Sequence, residues 1–359
     1  MKIRGVCYDV GCVYGPRVLN INTRPVFDAA VTHRELEIIR SDLHCNAVRI
    51  RGSDIGRLMT ATQDALEQGL EVLLSPERWE KSPRETLGYI VAAATAAEQL
   101  RERWPQRLLF SVASEATLFV RGIVPGKTIT ERLAQLRRDF RSGRYDEPFR
   151  AFLGEANEAV RRVFHGPVTY AALPFEPVDW SLFDIVGVDH YRESRVKDRY
   201  EETLRRFLSH GKPVIITEFG MRGYTGAESS GALGFGVLDN KSLVLHHLPV
   251  VGRLVRPRLN GQYVRDEALQ ARELTETLEI LDAAGVEGAF VFSFDEPLST
   301  FSENPRYDLD MSALSLVKTY AGRRGTTYPD MTREPKAAFT AVAEFYASLQ
   351  AGRATAGPV

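Results

Sequence analysis

The feature that most constrains the fold is an alternation of short apolar runs with longer amphipathic ones. Eight such rounds follow one another along the 359 residues. The apolar runs have the length of buried strands, and the amphipathic runs have helical periodicity. Strict alternation predicts a parallel sheet, and eight units favour a single (β/α)8 TIM barrel over a doubly wound sheet. The dinucleotide-binding alternative lacks a G-x-G-x-x-G after the first strand.

The same alternation predicts the position of each strand and the length of each connection. The eight predicted strands are residues 3–8, 46–51, 70–75, 108–114, 167–173, 184–191, 213–218 and 288–294. The connections after strands 4, 7 and 8 are long, which is typical of binding loops and lids. We predict one catalytic barrel over residues 1–350 and a disordered tail over residues 351–359.

Composition excludes several classes of partner. With 44% hydrophobic and 26% charged residues, and a net charge of −1, the chain offers no long-range field for nucleic acid or an anionic membrane. The N-terminal sequence is typical of a first strand and not of a signal peptide, so we expect a cytoplasmic protein. Cys7, Cys12 and Cys45 are too few for a disulfide framework, and they lack zinc-ligand spacing. We expect no metal and no cofactor.

Two glutamates each close an apolar run: Glu115 ends RLLFSVASE and Glu218 ends KPVIITE. Carboxyl ends of barrel strands carry the chemistry of barrel enzymes. Alternation predicts two faces that point into the barrel. They are Leu109, Ser111, Ala113 and Glu115 in strand four, and Val214, Ile216 and Glu218 in strand seven. Two such carboxyl groups can break an acetal bond, one as proton donor and one as nucleophile. Either glutamate alone also fits a solvated loop residue or a helix cap.

Several short motifs carry a resemblance to a known group of enzymes. KPVIITEFG, NAVRIR, VDHY and GAFVFSFDEP are similar to strands seven, two, six and eight of the clan-A retaining glycoside hydrolases. The resemblance implies that Glu115 is the acid/base and Glu218 the nucleophile. It also implies that Arg49 hydrogen-bonds the nucleophile and that Tyr191 or His190 contacts it. The layout, with VGVDHYR and ITEFG, further resembles uncharacterised proteins labelled abortive-infection proteins.

The chain departs from the clan pattern at two positions. Ser114 stands where the clan has an asparagine that binds the sugar 2-hydroxyl, and a serine offers only one donor. Strand eight carries Phe292, Ser293 and Phe294 where the clan usually offers a tryptophan platform. Both departures weaken the expectation of an ordinary hexopyranoside substrate.

We predict ten substrate-binding residues around the two glutamates. They are Asp9, Arg49, Arg51, Trp79, Ser114, Asp189, His190, Tyr191, Asp295 and Glu296. An arginine of strand two would keep one carboxylate ionised, while a more apolar niche would keep the other protonated. We therefore expect Arg49 or Arg51, together with Tyr191 or His190, to hydrogen-bond Glu218. We also expect the carboxyl oxygens of Glu115 and Glu218 to lie ~5 Å apart.

The predicted function is a retaining glycosidase acting on a small intracellular glycoside or glycosylated metabolite. One alternative keeps the carboxyl groups but replaces hydrolysis with cyclisation, rearrangement or elimination. Another is a catalytically silent barrel that binds a ligand or partner, as in phage defence. We predict that residues 220–263 cover the mouth and offer Tyr224, Phe235, His246 and His247 as contacts.

Overall fold

The computed structural model describes residues 1–15, 21–139, 142–229, 236–248 and 250–356. A closed barrel of eight parallel strands lies at its centre, and this confirms the predicted (β/α)8 fold. The strands are β1 Ile3–Asp9, β2 Ala47–Gly52, β3 Glu71–Pro76, β4 Leu108–Ser114, β5 Val168–Ala172, β6 Val186–Asp189, β7 Val214–Phe219 and β8 Gly288–Val291. Each strand pairs with its neighbours in the chain, and β8 pairs with β1 to close the barrel.

Ten α-helices occur in the described part of the chain. They are α1 Ala29–Ser41, α2 Ile55–Glu67, α3 Pro83–Arg103, α4 Ala116–Phe119, α5 Ile129–Asp139, α6 Asp146–Arg161, α7 Tyr200–Leu208, α8 Asn240–His246, α9 Glu267–Ala284 and α10 Ala337–Ala356. Local sequence explains several starts: Asp28 and Asp54 accept hydrogen bonds from first-turn amides, and Ser82 with Glu85 forms a capping box. None of these helices is long and apolar enough to cross a membrane.

Apolar layers lie on both faces of the barrel strands. The larger one fills the space between barrel and helices, and a smaller one fills the barrel interior. The interior layer consists of Cys7, Ala47, Leu73, Ile215 and Phe290. The Phe290 ring lies so close to Gly5 that a Cβ there would stand 2.3 Å from it, so β1 requires glycine at this point. The interior is thus a packed floor beneath the carboxyl ends of the strands.

A register shift in β7 corrects the predicted face of that strand. Val214 and Ile216 pack in the outer layer against the helices, and Ile215 faces the interior, so their predicted orientation was wrong. The pairing with β6 shifts by one residue, because Val188 pairs with Ile216 whereas Asp189 pairs with Glu218. This irregularity brings the Glu218 side chain to Arg49 at the mouth despite the reversed alternation.

A second register shift lies in β4. Ser111 pairs with Thr169 but Ser114 pairs with Ala171, which inserts one extra residue in β4. Ala113 consequently packs in the outer layer, contrary to the predicted face, and the Ser114 side chain contacts Arg49 of β2. These two irregular strands position the candidate catalytic glutamates, because Glu115 directly follows β4 and Glu218 lies near the end of β7.

The connections after β4, β7 and β8 carry structure of their own. The first contains α4 and α5, and the second contains α8. The third contains a three-stranded sheet formed by Thr300–Phe301, Val317–Tyr320 and Arg333–Pro335. Helix α10 continues through residues 351–356, which we expected in the disordered tail, and residues 357–359 lie outside the described part.

Candidate active site

Arg49 of β2 forms the centre of the site. Its Nη1 donates to Glu218 Oε1 at 2.7 Å and to the Thr217 carbonyl at 3.0 Å, and Asp189 Oδ1 lies at 3.4 Å. Its Nη2 contacts Ser114 Oγ at 3.3 Å and Glu77 Oε1 at 3.4 Å. The Arg49 side chain is fully buried. A buried guanidinium with these contacts ties strands β2, β3, β4, β6 and β7 together at the mouth.

Glu218 has a second donor beside Arg49. The Tyr191 hydroxyl donates to Glu218 Oε2 at 3.0 Å, so each carboxylate oxygen accepts one hydrogen bond. Burial, followed by the negative charge of Glu218, raises the pKa of Tyr191 well above its usual value, so the phenol remains a donor. The Glu218 side chain is 11% exposed, which leaves a narrow approach from the mouth.

The other two expected donors do not contact the Glu218 carboxylate. The His190 ring stacks on Tyr200 with centroids 4.2 Å apart, and burial lowers the pKa of His190 to about 4. Only the His190 backbone amide reaches Glu218, donating to its carbonyl at 2.8 Å. Arg51 instead donates to Glu77 through Nε at 3.1 Å and Nη2 at 2.6 Å. The side-chain hydrogen bonds to the Glu218 carboxylate thus come from Arg49 and Tyr191.

Glu77 at the end of β3 holds the second arginine of β2. Burial acts to raise the pKa of Glu77, but the charges of Arg51 and Arg49 bring this pKa below its usual value. Trp79 Nε1 donates to Glu77 Oε2 at 3.1 Å. The Trp79 ring stacks on Phe119 at a centroid distance of 4.3 Å, so one of its faces is already covered. Whether Trp79 contacts a sugar stays a prediction.

Glu115 occupies a different environment at the end of β4. It precedes α4 with a left-handed backbone, φ 43°, and its amide donates to the Ala171 carbonyl at 2.9 Å. Burial, and then the negative charges of Asp189, Glu218 and Glu176, raise the pKa of Glu115 well above its usual value. A carboxyl group in such surroundings retains its proton. The predicted separation of ~5 Å from Glu218 stays a prediction.

Two residues that the sequence analysis did not single out support the Glu115 turn. The Tyr170 hydroxyl accepts from the Ala116 amide at 2.7 Å and donates to Glu176 Oε2 at 2.8 Å. Glu176 Oε1 accepts from the Thr117 amide at 3.0 Å and the Thr117 hydroxyl at 2.7 Å. The only sequence signal for Glu176 is its place in LPFEP, directly after the fifth strand.

We expect Tyr170→Phe to destabilise the protein by about 1–3 kcal/mol, because the Ala116 amide and a Glu176 oxygen lose a buried partner. Hydrogen exchange at residues 115–119 should accelerate. The matched control is Tyr346→Phe, which removes a buried hydroxyl that donates to the Gly5 carbonyl at 3.0 Å. Equal exchange at residues 115–119 in both variants would contradict the supporting role of Tyr170.

The remaining predicted site residues divide into two groups. Asp9 accepts from the Gly11 amide at 2.6 Å, and Glu296 accepts from the Leu314 amide at 2.7 Å. Burial is the main cause that raises the pKa of both carboxyl groups. Their binding of substrate stays a prediction.

Asp295 belongs to a network of four buried charges that has no described ion pair with Arg49 or Glu218. Arg24 lies 2.5 Å from Asp295 and 3.1 Å from Glu35, and Arg333 lies 2.6 Å from Asp295 and 3.0 Å from Glu35. Both oxygens of Asp295 are thus occupied, and the contacts join the segments after β1 and β8 to α1. These ion pairs give Asp295 a structural role. They do not support its predicted contact with substrate.

The described part of residues 220–263 contacts itself and also the segment after β8, where Arg222 Nε donates to the Ser312 carbonyl at 2.8 Å and the Arg306 carbonyl accepts from the Leu259 amide at 2.9 Å. Tyr224 is buried and its ring lies 5.3 Å from that of Tyr263. His246 Nδ1 lies 2.8 Å from the Val255 carbonyl, and His247 Nδ1 lies 2.8 Å from the Leu243 carbonyl. Phe235 lies outside the described residues. That this segment covers the mouth stays a prediction.

Within the described residues, no group of three or more histidine, cysteine, aspartate or glutamate side chains is arranged to hold a metal ion. The acidic side chains of the mouth contact arginines and hydroxyl groups, as Glu77 with Arg51 and Asp189 with the Thr217 hydroxyl show. Their arrangement is therefore suited to proton transfer and charge stabilisation by side chains.

Comparison with known proteins shows the fold. No protein-family model matches the chain, and no curated protein sequence matches it. Among solved structures, a GH113 β-1,4-mannanase is 14% identical with a TM-score of 0.59, over 97% of this chain and 100% of that one. The GH113 β-mannanase of Alicyclobacillus acidocaldarius is 15% identical with a TM-score of 0.55, over 97% and 98%.

A third structure is a β-glucuronidase of an uncultured Clostridium sp. It is 16% identical with a TM-score of 0.54, and the match covers 97% of this chain and 50% of that one. At these identities the likeness establishes a barrel like those of glycoside hydrolases. The resemblance to proteins labelled abortive-infection proteins finds no support in these structures.

Proposed function

We propose that the protein is a retaining glycosidase in which Glu218 is the nucleophile and Glu115 the acid/base. The observation that carries this proposal is the contrast between the two carboxyl groups. Both oxygens of Glu218 accept hydrogen bonds, from Arg49 and Tyr191, as those of a carboxylate do, whereas burial and neighbouring negative charges raise the pKa of Glu115 well above its usual value, so that Glu115 keeps its proton. A retaining mechanism requires one carboxyl group in each state.

The reaction follows from these two states. Glu115 gives its proton to the glycosidic oxygen while the bond to the anomeric carbon breaks, and Glu218 bonds to that carbon as the alcohol leaves. Glu115, now ionised, takes a proton from water, and the resulting attack releases the sugar and restores Glu218. Arg49 and Tyr191 hold the Glu218 carboxylate in place before attack and after release.

For the substrate, we propose a small glycoside or the end of an oligosaccharide. The support is the 11% exposure of the Glu218 side chain, which favours a substrate entering end-on over a polymer lying across the mouth. The similar solved structures include β-mannanases and a β-glucuronidase, so mannosides and glucuronides belong in the first panel with glucosides and galactosides.

The test is covalent trapping. The purified protein is incubated with activated aryl 2-deoxy-2-fluoro glycosides of the four sugars, and intact mass and peptide mapping locate any adduct. We expect one sugar on the peptide that contains Glu218. Turnover without an adduct and with rearranged or dehydrated products would favour the acid-base tailoring alternative. Ligand binding without any turnover would favour the silent barrel.

We expect Glu115→Gln to lower kcat/KM by about 10²–10⁴-fold on glycosides with poor leaving groups. Because the pKa of Glu115 is raised, wild-type activity should fall as the pH rises through that value and the proton is lost. The variant should lack this alkaline limb in its pH–rate profile. Dinitrophenyl glycosides need little protonation and serve as the control, with a much smaller loss. Identical alkaline limbs in both proteins would contradict the assignment.

A further inference from the structure

The mouth of the barrel holds more buried carboxyl groups than guanidinium groups. The groups are Glu77, Glu115, Asp189 and Glu218, with Arg49 and Arg51. Arg51 lies 2.6 Å from Glu77, and Arg49 lies 2.7 Å from Glu218. Two carboxyl groups therefore remain without a cation of their own, and uncompensated buried charges are costly. Two bound protons would bring the charges of these six groups to balance.

One of these protons belongs to Glu115, as the proposed function requires. The other falls to Asp189, whose side chain is fully buried at the end of β6. Burial, and then the charge of Glu218, raise the pKa of Asp189 well above its usual value, and Arg49 offsets this only in part. The titratable and charged groups that surround Asp189 are Cys7, Arg49, Glu77, Glu115, Tyr191 and Glu218.

The hydrogen bonds of Asp189 show where its proton would lie. Oδ1 accepts from the Thr217 hydroxyl at 2.6 Å and lies 3.4 Å from Arg49 Nη1. Oδ2 lies 3.4 Å from Ser114 Oγ. Ser114 Oγ already accepts from Arg49 Nη2 at 3.3 Å, which leaves one lone pair for a further donor.

We propose that Asp189 carries a proton on Oδ2 and donates it to Ser114 Oγ, so that the Ser114 hydroxyl points its own hydrogen into the mouth as a donor to the substrate. With an ionised Asp189, Ser114 would instead donate to Oδ2 and have nothing to offer. Ser114 directly precedes the proposed acid/base Glu115 and contacts Arg49, which also contacts the proposed nucleophile, so a substrate bound between the two glutamates would lie within reach of this donor, and such a hydrogen bond to a sugar hydroxyl strengthens in the transition state. A serine and an acid would thus provide the donor together. The substrate part of this proposal rests on the proposed function; the protonation of Asp189 does not.

The first test measures thermal stability against pH for the wild type and Asp189→Asn. A carboxyl group that is protonated only in the folded protein costs stability as the pH rises above about 3.9, its unfolded value, until it ionises in the folded state. Asparagine mimics the protonated form and does not titrate. We expect the Tm of Asp189→Asn minus that of the wild type to rise by about 2 °C or more from pH 4 to pH 8.

The opposite trend would overturn the proposal. If Asp189 is ionised in the folded protein, the variant loses stability near neutral pH and the difference closes towards pH 4. Asp295→Asn is the matched control, because both oxygens of Asp295 contact guanidinium groups and removing its charge should destabilise the protein at pH 7.

The second test concerns the donor. On a glycoside that the enzyme cleaves, we expect the wild type to prefer the parent sugar over its 2-deoxy analogue in kcat/KM by at least about 10-fold, a difference of ~1.4 kcal/mol. Ser114→Ala should lose this preference. A preference that survives in Ser114→Ala would overturn the donor role. Absence of glycoside cleavage together with the expected stability trend would contradict the proposed function and support the proton on Asp189.

Discussion

Replacing Glu218 with glutamine is expected to abolish glycoside cleavage while the barrel remains folded. Glutamine has the same shape, its carbonyl oxygen can still accept from Arg49 and its amide can donate to the Tyr191 oxygen, but it cannot form the glycosyl-enzyme ester. We expect kcat/KM to fall at least about 10³-fold, which corresponds to more than ~4 kcal/mol of lost transition-state stabilisation. The variant should also lose labelling by the fluoro glycosides.

The matched control for this variant is Glu273→Gln. Glu273 is buried on α9 and pairs with Arg192 at 3.2 Å, so the substitution removes a buried charge from another part of the protein. We expect this control to lose stability and to retain cleavage and labelling. Unchanged turnover in Glu218→Gln, with correct folding shown by circular dichroism, would be incompatible with a nucleophilic role.

Arg49→Met is expected to have the largest effect on stability. Its removal leaves the Glu218 carboxylate buried without the guanidinium that contacts it at 2.7 Å, and breaking a buried ion pair in this way costs about 3–5 kcal/mol. The free energy of unfolding, measured by denaturant titration, should therefore fall by this amount at pH 7. The deficit should shrink as the pH falls, because the Glu218 carboxylate that the variant leaves unpaired with Arg49 then takes up a proton.

Two further variants calibrate this measurement. Arg49→Lys keeps the charge but not the planar set of donors, so its loss should be intermediate. Arg34→Met removes a partly exposed arginine that pairs with Glu37 and Asp330, and it should cost no more than about 1 kcal/mol. If Arg49→Met had the same free energy of unfolding as Arg34→Met at pH 7, the buried carboxyl groups of the mouth would not depend on the Arg49 guanidinium for their stability.

The sequence alone determined the barrel and the general position of its chemistry. Eight rounds of apolar and amphipathic segments can bury their surfaces in few ways, and the closed parallel barrel is one of them. Parallel strands that all begin at one end also end together, so Glu115, Glu218 and Arg49 belonged at one mouth without any tertiary information. A contact of Glu218 with an arginine of strand two could be predicted for the same reason, whereas the choice of Arg49 over Arg51 was implied only by the resemblance to the clan.

Only the tertiary structure decided which neighbouring side chains face the site. The register shift in β4 brings Ser114 inward in place of Ala113, and the shift in β7 lets both Thr217 and Glu218 reach the site. Such a bulge depends on how neighbouring strands pair, so the alternation within one strand does not predict it.

The charge partners were likewise beyond the sequence. Asp189 and Asp295 both lie at or after the ends of barrel strands and have similar sequence positions, yet Asp189 contacts Thr217 and Ser114 whereas Asp295 lies between Arg24 and Arg333. The protonation of a buried carboxyl group depends on the charges within a few ångströms of it, and residues up to 271 positions apart in the chain supply those charges.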